Sequence, residues 1–113
     1  MAAFTFGQST IAFTDATDSY NKKATTSFNF IFSPTHTAED ITSNAAYYES
    51  YFTVTVVAAG TGGNTVNITL VEDNEMARRV IMRLFVNLEI NEIGVNGTDM
   101  ERNEFMTTFI MVD

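Results

Sequence analysis

Side chains that could carry chemistry are few in this chain of 113 residues. It has no cysteine and one histidine, and 14 acidic against 6 basic residues give a net charge of −8. Thiol nucleophiles, cysteine-ligated metals and multi-histidine metal sites are therefore excluded within one chain. His36 forms no recognisable nucleophile motif with a serine or an acid, so we predict a solvated or helix-adjacent histidine rather than a catalytic base.

A short acidic run is the candidate metal site. Glu72, Asp73, Asn74 and Glu75 could supply the hard oxygen ligands that Ca²⁺ prefers. The run lacks the glycine and the ligand spacing of an EF-hand loop, and charged turns between strands are common. We therefore predict a solvated turn and no bound metal or cofactor. Because no nucleophile–base pair is found either, we expect a protein that is not an enzyme.

Three arginines interrupt the acidic character of the chain. Arg78, Arg79 and Arg83 are half of its basic residues, and residues 24–77 contain none. Such separation of charge within a small chain is typical of head-to-tail or partner contacts. We predict that these arginines bind acidic side chains of a neighbouring subunit or partner. The alternative is an ordinary solvated face.

Charge and hydropathy also limit the classes of partner. A net charge of −8 opposes the approach of phosphates, and no basic stripe alternates with aromatic residues, so no nucleic-acid partner is expected. Mimicry of nucleic acid stays open. No run approaches the 18 apolar residues of a membrane span, so no membrane partner is expected. The first fifteen residues also lack the basic start and apolar run of a signal peptide.

The elements that position these residues are predicted mainly as strands, because Thr, Asn and aromatic residues are abundant. Residues 51–58 and 65–71 alternate apolar and polar side chains around a glycine-rich turn, which indicates a β-hairpin. We expect this hairpin to form the centre of the sheet. Its core-facing side chains are predicted to be Phe52, Val54, Val56, Val66, Ile68 and Leu70. Further strands are predicted at 10–14, 26–32, 93–95 and 105–112, with a tight turn at Asn96-Gly97.

Two segments carry helical signals. Thr37 is a candidate N-cap, and acidic residues follow it, so one short helix is predicted near 38–48. Residues 80–90 fit both periods: six apolar residues alternate as in a strand, whereas a helical stripe runs through 76–88. The alternation favours a strand, and a helix is the alternative.

The combined pattern predicts one mainly all-β domain over residues 1–113, an antiparallel β-sandwich or jelly roll with one short helix. Residues 1–8 are predicted to form an extended N-terminal arm, with Phe4 and Phe6 as partner-binding side chains; pairing into the sheet is the alternative. Apolar side chains on both faces of several strands exceed what one core hides, so a further surface should cover them.

In composition the chain resembles the small acidic β-rich structural proteins of tailed bacteriophage virions, especially head decoration or cement proteins. The features in common are a cysteine-free Thr/Asn/Phe-rich chain of this size and an extended N-terminal segment, AAFTFGQSTIAF. The resemblance implies a homo-oligomer that binds a major capsid or other virion protein, and localisation in the virion. Two alternatives are an acidic inhibitor in the host cytoplasm and a carbohydrate-binding jelly roll that uses Tyr47, Tyr48 and Tyr51.

Overall fold

The computed structural model describes residues 9–59 and 63–112. Its strands are β1 (Ile11–Phe13), β2 (Ser27–Phe32), β3 (Phe52–Ala58), β4 (Asn64–Leu70), β5 (Glu92–Val95) and β6 (Thr98–Glu101). Its helices are α1 (Ala38–Ala45), followed by a 3₁₀ turn (Ala46–Tyr48), α2 (Glu75–Asn87) and α3 (Arg102–Phe105). A π-helical turn (Met106–Ile110) continues α3 directly, and we call residues 102–110 the C-terminal helical segment. The predicted arm at 1–8, with Phe4 and Phe6, lies outside the described residues.

All six strands form one mixed sheet in the order β3-β4-β2-β1-β5-β6. The predicted β-rich domain is confirmed, but the sandwich or jelly roll is not: the described residues contain one sheet, with helices against its apolar face. The fully antiparallel arrangement is wrong at one place, because β1 and β5 pair in parallel. Since β4 therefore also runs parallel to β5, the chain needs a crossover between them, and α2 provides it.

Apolar and polar side chains alternate along the strands, and the apolar ones face the core as predicted. Phe28, Phe30 and Phe32 of β2 are buried, and their partners on β4 and β1 carry the core across the sheet. Core-facing positions of the hairpin are Phe52, Val54, Val56, Val66, Ile68 and Leu70, of which Val54 and Val56 are partly buried. The hairpin is not the sheet centre, however, because β3 lies at one edge.

The predicted strand over 80–90 is wrong, since these residues lie largely in α2. The burial of these residues follows the helical stripe, because Val80, Ile81 and Leu84 are buried on the side facing the core. Val86 would point into the core if the segment were a strand, but it is exposed. Asn74 caps the helix by accepting a hydrogen bond from the backbone N–H of Ala77 at 2.8 Å. The need for a crossover and the Asn74 cap favour a helix more strongly than the alternating apolar residues favour a strand.

The predicted closing strand at 105–112 is also wrong. The C-terminal helical segment buries Phe105, Met106, Phe109 and Ile110, a spacing that suits one face of a helix rather than one face of a strand. Glu101 starts it by accepting hydrogen bonds from the N–H groups two and three residues later. The segment thus completes the helical layer over β5 and β6.

Two local predictions are confirmed. Thr37 caps α1 by accepting a hydrogen bond from the N–H of Asp40 at 3.1 Å. Between β5 and β6, Asn96 has φ 53° and Gly97 has φ 82°, the pair of left-handed conformations that a two-residue type I′ turn requires.

The two faces of the sheet can be compared with a matched pair of alanine substitutions. Ile68 is fully buried, so Ile68→Ala should lower the free energy of unfolding by roughly 2 to 4 kcal/mol. Thr55 lies on the outward face, and Thr55→Ala should cost less than about 1 kcal/mol. Urea denaturation measures both. Equal losses would contradict the assigned faces.

Candidate interaction surfaces

Arg78 is buried inside the fold, with 1% of its surface exposed. Its guanidinium donates to the carbonyl oxygens of Lys22 and Ile110, each at 2.9 Å, and to that of Thr25 at 2.8 Å. A fourth bond joins Nε to Asp73 Oδ1 at 2.8 Å. Every one of these partners belongs to the same chain. The prediction that Arg78 binds a partner protein is therefore wrong, because the side chain is buried and four of its five N–H donors are used within the fold.

The acidic run beside Arg78 serves the start of α2. Asp73 pairs with Arg78, and the hydrogen bond from that guanidinium holds the pKa of the Asp73 carboxyl below its ordinary value. Asn74 is the helix cap, and Glu75 forms an exposed ion pair with Arg79 one turn later. Within the described ranges, no cluster of three or more histidine or carboxylate residues could hold a metal ion. These contacts account for the acidic spacing without a ligand.

Arg79 and Arg83 are exposed on the outward face of α2. Met76 and Val86, 52% and 48% exposed, lie on the same face because the four residues follow the three-to-four-residue spacing of a helix. We call Met76, Arg79, Arg83 and Val86 the α2 strip. It combines two of the chain's six basic residues with two exposed apolar side chains.

A shallow apolar groove of about 190 Å³ borders this strip, between α2 and the C-terminal helical segment. Arg79 forms part of its rim, and its lining is completed by Met82, Asn103, Met106, Thr107 and Met111. Methionine side chains adapt their shape to varied apolar partners, which suits a contact surface. The arginines could be identified from the sequence, but the groove could not, because its methionines come from segments predicted to be strands.

His36 is buried rather than solvated. Its Nε2 lies 2.7 Å from Thr10 Oγ1, and its ring packs edge-on against Phe32. Burial lowers the pKa of the imidazole, and the charge of Asp40 opposes that shift only partly. The predicted position beside a helix is correct, since α1 begins two residues later. The side chain joins β1 to the loop before α1, which is a structural role.

Tyr47 and Tyr48, two of the three tyrosines of the carbohydrate alternative, do not form a shared platform. Tyr47 is 81% exposed, but Tyr48 packs on Phe52 and hydrogen-bonds through its hydroxyl to Asn87. The rings of Tyr47 and Tyr48 are inclined by 61°. The apolar face of a sugar ring would therefore stack on one widely exposed aromatic side chain, Tyr47, rather than on a platform of several. This weakens the carbohydrate-binding interpretation.

The outward face of the sheet carries a connected polar network that sequence reasoning missed. Asn67 Nδ2 donates to Ser27 Oγ at 2.7 Å and to Asn29 Oδ1 at 2.8 Å, and Asn67 Oδ1 accepts from the hydroxyl of Thr69. Asn29 in turn donates to Asp15 at 2.7 Å. These bonds cross β4 and β2 and bind the loop after β1 to the sheet. Asp15 is therefore held by a specific contact with β2.

Helices long and apolar enough to cross a membrane are not found in the parts of the chain that the structure describes.

The role of Arg78 can be tested against its exposed neighbour. Arg78→Met leaves one buried and two partly buried carbonyl oxygens without their donor, so we expect a loss of roughly 3 to 5 kcal/mol in the free energy of unfolding. Arg79→Met removes the same charge from an exposed ion pair and should cost less than about 1 kcal/mol. Chemical denaturation compares the variants. Similar small losses would show that the buried contacts add little.

Burial of His36 predicts a pH dependence of stability. Because its folded pKa lies below the unfolded value, the unfolded chain binds the proton first as the pH falls below about 6.5. The free energy of unfolding should therefore decrease from pH 7.5 to 5.5, by at most about 1.4 kcal/mol per pH unit from one group. His36→Gln, which can still hydrogen-bond to Thr10, should flatten this slope. An unchanged slope would mean that His36 titrates equally in both states.

No protein-family model matches the chain, and comparisons with curated proteins and with solved structures give no significant match.

Proposed function

We propose that the protein is a non-enzymatic structural component of a virus particle, which binds a capsid or tail assembly and stabilises it as an oligomer. The α2 strip is the observation that carries this proposal. In a chain of net charge −8, two exposed arginines and two exposed apolar side chains share one helix face beside an apolar groove. A surface of this kind is suited to protein contact rather than to chemistry on a small substrate.

The α2 strip also defines the chemistry of the partner. An apolar side chain would fill the methionine-lined groove, while carboxylates beside it would meet Arg79 and Arg83. The existing pair between Arg79 and Glu75 is exposed on both sides, so its exchange for a partner carboxylate costs little. We therefore expect the contact segment on the coat or tail subunit to be acidic with a central apolar residue.

We infer the class of assembly, a virus particle, from the compositional resemblance to phage decoration proteins. Such a role needs a stable small domain with exposed contact surfaces and no reaction centre. His36, whose ring is buried and bonded to Thr10, fits this role better than that of a catalytic base. The proposed partners are a major capsid or other virion protein and further copies of the chain.

An acidic inhibitor in the host cytoplasm is the second candidate. Glu92 and Glu101 lie directly opposite each other on β5 and β6, and Asp99 lies two residues along the same outward face. Carboxylates at such spacings imitate the repeated charge of a nucleic-acid backbone. Burial of Arg78 makes the surface still more negative than the composition indicates.

The two candidates differ in where the chain is found. A virion protein should remain with particles that have been purified by density-gradient centrifugation from the virus encoding this chain, and mass spectrometry should detect its peptides there in stoichiometric amount. An inhibitor should stay in the soluble fraction of infected cells. Peptides confined to that fraction would reject the virion proposal.

The contribution of the α2 strip can be measured with particles depleted of this chain. Arg83→Glu should weaken rebinding of the purified protein about tenfold or more, because an attractive charge becomes repulsive. Lys23→Glu makes the same change of charge on an exposed loop and is the matched control. Rebinding should also weaken between about 50 and 500 mM salt, as the screening length falls from roughly 14 to 4 Å. Equal rebinding by Arg83→Glu and Lys23→Glu would show that the α2 strip is not the particle-binding surface.

A further inference from the structure

Strand β3 forms one edge of the sheet and is not protected against pairing. It contacts β4 along all seven of its residues, and no strand in the described part of the chain pairs with its other side. Its sequence, FTVTVVA, is uncharged, contains no proline and consists mainly of residues that favour strands. Val57, at the same edge, is 58% exposed. Natural proteins usually protect a strand of this kind with charge, proline or a bulge.

Backbone hydrogen bonds identify which groups the edge presents. Ala59 donates to Gly63 and Val71 donates to Tyr51, each at 3.0 Å, so the odd-numbered residues of the strand bond to β4. In an antiparallel ladder the alternate residues direct their N–H and C=O groups to the other side. These residues are Phe52, Val54, Val56 and Ala58. Val54, Val56 and Ala58 therefore each present one donor and one acceptor at the edge, whereas Phe52 is 1% exposed and its backbone groups are covered.

The opposite edge of the sheet differs in every respect that matters for pairing. Strand β6 has four residues, includes Asp99 and Glu101, and passes directly into α3. Glu101 also faces Glu92 on the neighbouring strand, which adds negative charge at this edge. A short, charged and promptly terminated strand is a protected edge. Any extension of the sheet is therefore directed to β3.

Charge also selects the β3 edge for contact between copies. Two chains of net charge −8 repel each other, and an uncharged contact surface adds no local repulsion to that of the whole chains. Residues 50–71, which include β3 and β4, form the longest uncharged run in the sequence. The hairpin is thus the surface on which a second copy meets the least repulsion.

We infer that two copies of the chain pair through β3, antiparallel and two-fold symmetric, to form one continuous sheet. The axis passes between Thr55, the middle residue of the strand, and Thr55 of the other copy. This register places Val54 opposite Val56 of the other copy, so the outward-directed N–H and C=O groups of both residues find partners in each copy. Phe52 takes no part in the pairing, because this residue is fully buried. The occupant of the edge is accordingly a second copy of this chain.

A single-cysteine experiment tests both the contact and its register. The chain has no cysteine, so Thr55→Cys introduces one thiol, which the two-fold axis places opposite its own copy. A directly opposed pair brings Cα atoms to about 4.5 to 5.5 Å, within disulfide range. Oxidation should therefore convert this variant largely to a covalent dimer. Thr53→Cys, exposed on the same strand and face, would lie roughly 13 Å from its copy and should remain uncrosslinked.

Sedimentation of the uncrosslinked proteins provides the second measurement. The unmodified chain should be dimeric, and its dimer should strengthen as salt screens the net negative charge. Thr55→Glu places two carboxylates directly opposite each other and should raise the dimer dissociation constant about tenfold or more, whereas Thr55→Gln should change it little. Urea denaturation checks that both variants fold.

Three results would overturn the inference. They are a monomer at about 200 μM, a dimer unaffected by Thr55→Glu, and equal crosslinking of Thr53→Cys and Thr55→Cys. The dimer does not depend on the proposed virion role. Salt should strengthen the dimer and weaken the contact of the α2 strip, so the two contacts can be distinguished. A chain found outside virions could still pair through β3, and a monomer could still bind particles through Arg83.

Discussion

The buried guanidinium of Arg78 is the contact on which the arrangement of the helices and loops depends. A charge in the core is costly unless every donor finds an acceptor, and here the acceptors come from the loop after β1, the turn before α2 and the end of the C-terminal helical segment. The guanidinium thus connects three segments that are far apart in the sequence. The ring of Phe28 lies 5.9 Å from the guanidinium carbon, which connects the same group to the sheet.

A one-layered sheet with helices on one side gives the molecule separate surfaces for separate contacts. The helical layer carries the α2 strip and its groove, whereas the proposed pairing uses the backbone of β3 at the edge of the sheet. The two contacts therefore do not compete for the same side chains. A β3-linked pair would present two α2 strips, and an assembly that repeats its subunits would bind both with an affinity well above that of one.

Local signals predicted the strands well and the segment beyond β4 poorly. Alternation in the first hairpin, the Asn96-Gly97 pair and the Thr37 cap each act within a few residues, and the structure confirms them. Residues 80–90 satisfy both periods, and the choice depended on a crossover between parallel strands that becomes visible only when the strand order is known. The prediction for Arg79 and Arg83 located an exposed face, but Arg78 is one residue away on the other side of the same helix. Neighbouring residues of a helix point to different sides, so Arg78 does not share a surface with Arg79 and Arg83.

The bonding pattern of Arg78 has a consequence for how the sequence can vary. Three of its four partners are backbone carbonyls, at Lys22, Thr25 and Ile110, and a carbonyl is supplied by any residue type. The hydrogen bonds themselves therefore place no requirement on the side chains at those positions, although packing still constrains Ile110. Substitutions can accumulate in the loop without losing the contact, provided that its backbone path is kept. The junction thus requires particular side chains at two positions only, Arg78 and Asp73.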